Sequence, residues 1–330
     1  MRTLNGIAKD YDALRFRAPE DINRCIKNLV RQSPNIHFID TDSAFKANSP
    51  FGIIGKELML EHVHPNLLGY AILSDVFYQS LKRNRFIENE WKNEISFDSL
   101  RRAMPITKVD SLKGIYEIMM LKEGWPFNEK MPPVEKGEKT YEEALAGSLA
   151  VYQMKWVEAM NLLYIDYIKN KEYQKALKVS EAIILEYPEG QEAYNEAIQL
   201  SMNLKEYKTA LFYSSKLFKL HPSFEIAKSL FLLYLKMDMP AESIFYIDYA
   251  IQTGNSRVNL LPLKEVVNDV LATKEILERD TSKLDAINSI ATNYMIIGNF
   301  EAALIYINKA LMIDKENTVA LGMYEKIKSE

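Results

Sequence analysis

A 34-residue echo runs through the second half of this chain. "KNKEYQKALKVSEAIILEYPEG" and "MNLKEYKTALFYSSKLFKLHPSF" share one grammar. Glu172-Tyr173 returns as Glu206-Tyr207, Ala176-Leu177 as Ala210-Leu211, and Pro188 as Pro222, each 34 residues on. A fixed period of this length marks a stacked array. Each unit is a helix pair that cannot bury its apolar face without a neighbour. The alanines let helix backbones approach, and the larger side chains fill the gaps between units.

This grammar resembles the tetratricopeptide repeat (TPR) family, in which 34-residue helix pairs carry small residues where helices touch most closely. The resemblance places repeats at 157–190, 191–224, 225–258 and 284–317. In the last, "INSIATNYMIIGNFEAALIYINKALMIDKEN", Ala291, Ala303 and Ala310 take the small positions. Tyr294 takes the aromatic one and Gly298 the inter-helix turn. The third repeat departs from the pattern, with Ile244 where alanine is usual and Pro240 near the turn. The spacer "LLPLKEVVNDVLATKEILERD" reads as an irregular helix pair. Residues 141–156 read as one helix of a degenerate leading repeat and 318–329 as a closing helix. The expected fold is mostly α, a TPR-type α-solenoid over 141–330.

The 41 basic and 45 acidic side chains leave a net charge of −4 over 330 residues. That gives no electrostatic reason for nucleic acid or an anionic membrane to bind. Cys25 is the single cysteine, so no intrachain disulfide can form. No apolar run approaches the length of a membrane span, and "MRTLNGIAKDYDALRF" lacks a signal-peptide core. As written the chain reads as cytoplasmic. A missing upstream segment would change that to exported or anchored.

Residues 1–85 have another texture. "PEDINRCIKNLVRQ" opens on Pro19 and acids, and Ile22, Ile26, Leu29 and Val30 recur at helical spacing. "NIHFID" reads as a short strand. A polar loop follows through "TDSAFKANSPFGIIGKE". Pro65 then opens a helix with Leu68, Ala71, Ile72 and Val76 on one face. Helix, strand, loop, helix is an α/β cadence, yet one strand is not a sheet, so the region reads as an incomplete fragment. Residues 86–140 form a connector, with a short helix over Ser111 to Lys122 and a loop "GWPFNEKMPPVEKGEK". Trp125 and Phe127 in that loop read as anchors on a neighbouring surface.

Within the first region, "EHVHPNLLGY" resembles the closing Asp-x-x-His block of the SGNH (GDSL-like) hydrolases. The preceding "DALRFRAPEDINRCI" is similar to the matching helix in SGNH proteins joined to TPR arrays in Bacteroidetes-type bacteria. The resemblance implies His64 as general base and Glu61, in place of the usual aspartate, as the group that orients it. It covers only the end of that fold. The serine block Gly-Asp-Ser occurs nowhere, and the glycine and Gly-x-Asn blocks that supply oxyanion donors are not found.

Other readings of these residues stand beside it. His62 and His64 could ligate a metal with Asp40 or Asp42, although no third ligand has a recognised spacing. "FIDTDSAF" faintly resembles the Asp-x-Asp of haloacid-dehalogenase phosphatases. Cys25 shares the apolar face of its helix and reads as a small buried residue. No metal and no cofactor are expected.

Two functions from different classes follow. One is an interaction protein whose groove takes a protein or peptide ligand. Position five of each first helix, where the resemblance places groove-facing residues, holds Asn161, Asn195, Ser229 and Asn288. Ile165 and Gln199 stand where a carboxylate-clamp member would want asparagine, so a chaperone C-terminus is not the expected ligand. The other is an esterase or acyl hydrolase, complete only when joined to a missing part that carries the serine.

Overall fold

The computed structural model describes residue 11 and residues 18–91, 94–130, 137–254 and 259–329. The rest of the chain start "MRTLNGIAKDYDALRF", part of the connector loop and the end of the expected third repeat lie outside them. Contacts divide the chain into two units, Met1–Gln153 and Met154–Glu330. Among the described residues both are helical, and the one β-type pairing is an isolated bridge between Met59 and Pro65.

The first unit holds α1 (Glu20–Gln32), α2 (Thr41–Ala47), α3 (Leu67–Arg83), α4 (Phe97–Arg102), α5 (Lys108–Glu123) and α6 (Tyr141–Ala150). Helix α5 begins earlier than expected because Thr107 and Asp110 form a reciprocal cap. A small core of Phe45, Leu58 and Ile72 joins α2, the loop before α3, and α3 itself. The expected loop at 41–47 is instead α2, because the Asp40 side chain accepts from Ser43 N and caps it. The expected strand at "NIHFID" does not form: the segment carries no regular structure, and the N–H groups of His37 and Phe38 have no partner among the described residues. Cys25 is exposed rather than buried, because no residue of α1 is buried. Trp125 keeps 68% of its surface exposed, while Phe127 stacks on His62. Helix α6, read as the start of the array, packs with α5 in the first unit.

The second unit is a TPR-type solenoid. Its pairs are α7 (Trp156–Lys169) with α8 (Tyr173–Glu186), α9 (Gln191–Asn203) with α10 (Tyr207–Leu220), and α11 (Phe224–Lys236) with α12 (Pro240–Thr253). A single helix α13 (Leu261–Arg279) follows, then the pair α14 (Leu284–Ile297) and α15 (Phe300–Ile313), then α16 (Thr318–Ser329). The spacer read as a helix pair is therefore one long helix. Leu261 to Arg279 contains no interior glycine or proline beyond Pro262 in its first turn, so nothing breaks it.

The turns inside the pairs are alike. Lys171, Lys205, Asp238 and Gly298 each adopt a positive φ, from 58° to 80°. The next residue's N–H reaches back to Tyr167, Ser201, Tyr234 and Tyr294 O respectively, at 2.8–2.9 Å. This is a Schellman-type stop. The side chain five residues past each turn is small and fully buried: Ala176, Ala210, Ser243 and Ala303. These equivalences correct the register of the third pair. The link from α10 to α11 is His221 to Ser223, one residue shorter than Tyr187 to Gly190 between α8 and α9. The third repeat thus starts at Phe224, and Ser243 rather than Ile244 takes the small position.

Longer ties bind the last pair to earlier turns. Asp238 accepts from Tyr294 Oη at 2.5 Å and from Tyr306 Oη at 2.7 Å, and pairs with Lys274 at 2.7 Å. Lys274 also donates to the Asp238 carbonyl at 3.0 Å. Asn299 Nδ2 donates to Leu235 O at 2.7 Å. Glu301 accepts from Tyr207 Oη at 2.8 Å and faces Lys236 and Lys205 at 3.5 and 3.7 Å. Burial, then the hydrogen bond to Asp238, pushes the Tyr294 and Tyr306 hydroxyls well above their usual range.

Candidate functional site

The loop before α3 is a tight hairpin built around Asn66. Asn66 N donates to Leu58 O, and Leu60 N to His64 O, both at 2.8 Å. The Asn66 amide donates to Glu57 O at 2.9 Å while its oxygen accepts from Gly69 N at 3.0 Å. Asn66, not Pro65, therefore caps α3, which begins at Leu67. Gly69 lets the helix press on the loop: a Cβ there would lie 2.4 Å from Leu58 O.

This hairpin brings Glu61 and His64 together. The Glu61 carboxylate is hydrogen-bonded to His64 Nδ1, and accepts from His64 N at 2.9 Å and Val63 N at 3.0 Å. Its side chain is 6% exposed, whereas that of His64 is 61% exposed. Burial pushes the Glu61 carboxyl up, but the His64 ring and the two backbone donors outweigh it and hold it below the usual range. An acid on Nδ1 fixes the proton there and leaves Nε2 as an acceptor facing solvent. That is half of a general-base machine. Among the described residues no serine or cysteine side chain bonds to the ring. A recess of about 210 Å³, lined by Leu60, Ile115, Ile118, Met119, Lys122, Glu129 and Lys130, opens next to Glu61 along the chain.

The rival metal reading finds no support: His62 stacks on Phe127 with ring centres 5.0 Å apart, and Asp40 is spent on its cap. No cluster of three His, Cys, Asp or Glu side chains is placed to hold a metal among the described residues.

In the second unit, Asn161 and Asn195 lie exposed at equivalent points of α7 and α9. The corrected register puts Lys228 at the matching point of α11 and moves Ser229 to the sixth position. Asn288 is half-buried and donates to Asn317 Oδ1 at 3.3 Å, so it supports the cap of α16. The row is therefore Asn161, Asn195 and Lys228, with Asn288 drawn inward. Beside it, Glu196 accepts from Ser180 Oγ, and burial raises its carboxyl pKa. The second positions carry Glu158, Glu192 and Glu225. Lys228 was missed because a strict period was carried across the shortened link. Asp238 was missed because its tyrosine partners lie 56 and 68 residues away along the chain.

No protein-family profile matches the chain, and no curated protein matches it. Solved structures with a similar path include YrrB, titled a TPR protein with an unusual peptide-binding site. It is 16% identical over 56% of this chain and 98% of that chain, with a TM-score of 0.31. A MamA structure from Desulfovibrio magneticus RS-1 is 13% identical over 48% of this chain and 95% of that chain, with a TM-score of 0.30. Among the described residues, no helix is long and apolar enough to cross a membrane.

Proposed function

We propose that the second unit is a peptide-binding interaction module whose groove runs past Asn161 and Asn195. The observation that carries this reading is the exposure of two carboxamides at equivalent points of successive pairs. A carboxamide offers a donor and an acceptor together, which matches the paired N–H and C=O of an extended peptide. Glu158, Glu192 and Glu225 favour a basic ligand over an acidic one. Selection from a random decapeptide library should enrich basic sequences. Asn161→Ala with Asn195→Ala should weaken an enriched peptide about tenfold or more, from the loss of two hydrogen bonds of ~1 kcal/mol each. The reading fails if nothing is enriched, or if the double variant binds as tightly as the parent.

A second reading is favoured by the Glu61–His64 pair. The first unit supplies the general base and its orienting acid for SGNH-type ester hydrolysis. The serine and oxyanion donors lie in a part of the protein outside this sequence, which holds no Gly-Asp-Ser. Nitrogen NMR should find His64 protonated on Nδ1, and Glu61→Ala should shift it toward the Nε2–H form. The chain by itself should hydrolyse a short activated ester no faster than its His64→Ala variant. A wild-type Nε2–H tautomer would remove the orienting role. Hydrolysis lost in the His64 variant would mean that the nucleophile lies in this chain.

A further inference from the structure

Glu196 follows Asn195 on α9 and is half-buried. Its side chain reaches back to α8, where one carboxylate oxygen accepts from Ser180 Oγ at 3.1 Å. Ser180 is itself fully buried, so this bond seats the carboxylate low between the helices. On α7, burial and then the Glu196 charge push the Tyr164 hydroxyl up to about 12. Asn161 stands one turn before Tyr164. Three successive helices thus bring a phenol, a hydroxyl and a carboxylate together beside the exposed Asn161 and Asn195.

This carboxylate lacks what a half-buried charge needs. Burial pushes its pKa up, the Ser180 hydroxyl offsets only part of that, and Glu192 one turn earlier adds to it. Among the described residues no cation pairs with Glu196. Nor does the repeat require the acid. Ser214 lies 34 residues after Ser180 and is also buried, yet Ser229 of α11 takes the position that Glu196 holds in α9. Leu162 takes it in α7. A glutamine would keep the Ser180 hydrogen bond without the charge. A charge held partly out of water without a counter-charge, beside a candidate groove, points to a ligand that supplies one.

We propose that Glu196 receives the cationic end of a lysine or arginine side chain of the bound peptide. The inference rests on the peptide-binding reading above and names the residue that reads one position of that ligand. The arriving cation supplies the missing counter-charge in a partly dry setting, where charge-assisted hydrogen bonds are strong. Glu158, Glu192 and Glu225 are exposed, so they attract basic peptides in a general way. Glu196 fixes where along the peptide the cation falls.

Parallel selections from a random decapeptide library, on the wild type and on Glu196→Gln, test this. The wild type should enrich lysine or arginine at one fixed position. The variant should lose that preference while still enriching peptides. Replacing that cation by norleucine in a wild-type-selected decapeptide should weaken binding to the wild type about tenfold. Against Glu196→Gln the same replacement should cost less than about twofold, since the partner charge is gone. Glu158→Gln, an exposed position, should leave the norleucine penalty in place. Glu196→Gln should melt no lower than the wild type, because glutamine still accepts from Ser180. Enrichment of nothing by the wild type would end the peptide-binding reading and this proposal with it. Enrichment of the same cation at the same position by both proteins would overturn this proposal alone. So would an unchanged norleucine penalty, or a variant that melts well below the wild type.

Discussion

Asp238→Ala should lower the melting temperature of the second unit by about 10 °C. The carboxylate holds two tyrosine hydroxyls and one ammonium group. The Asp238 and Lys274 side chains keep only 25% and 23% of their surface exposed. Removing the acid strands both hydroxyls and leaves the ammonium only the Asp238 carbonyl, a loss of about 3 kcal/mol. A domain of this size shifts about 2–4 °C per kcal/mol. Asp238→Asn separates charge from backbone effects, because asparagine tolerates the 58° φ at this turn and keeps an acceptor. It should lose about half as much. Thermal unfolding followed by circular dichroism decides the matter; a melt within 2 °C of wild type for the alanine variant, about the smallest shift one kcal/mol produces, would show that the tie adds nothing to folding.

Gly69→Ala should disassemble the loop that holds Glu61 and His64. The added carbon would sit 2.4 Å from the Leu58 carbonyl oxygen and 2.9 Å from Pro65 Cβ, and neither can rotate away. Helix α3 and the hairpin must part, which breaks the Asn66 cap and opens the small core at Leu58 and Ile72. The loss should be about 3 kcal/mol, at the upper end for overpacking. Hydrogen exchange along α3 should quicken, and the His64 ring should lose its Nδ1–H signature. Gly114 is the control. It lies inside α5 with nothing within 4 Å of an added Cβ, so Gly114→Ala should stabilise by about 0.5–1 kcal/mol. Equal behaviour of the two variants would refute the close-approach argument.

Much of the array was legible in the sequence because repetition averages out local ambiguity. Five positions 34 residues apart in two units place the turns and the buried alanines without further information. The period failed where the physical constraint is weakest, in the links between pairs. These run over the surface, and one residue more or less costs little there. That freedom moved the third pair by one residue and took Ser229 out of the row. Asp238 was illegible for another reason. Its partners lie 56 and 68 residues away along the chain, and no local pattern announces a contact of that separation. In the first unit, the Glu61–His64 spacing was readable because both lie within one turn of a hairpin. The fate of "NIHFID" was not, because a strand exists only where a neighbour answers its hydrogen bonds. Its sequence has β character, yet among the described residues no strand pairs with it.

The ties from the last pair to Asp238 and Glu301 also set an order of events during synthesis. The turn at Asp238 leaves the ribosome before Tyr294 and Tyr306 have been made. At about 5–20 residues per second, the gap is on the order of several seconds. Through that interval the first three pairs can stack on one another, but the carboxylate has none of its distant partners. A nascent chain stalled before Tyr294 would therefore display an array without its clasp, and the groove proposed above with no last pair to bound it. A peptide that docks there would then meet a different protein from the one that it meets later.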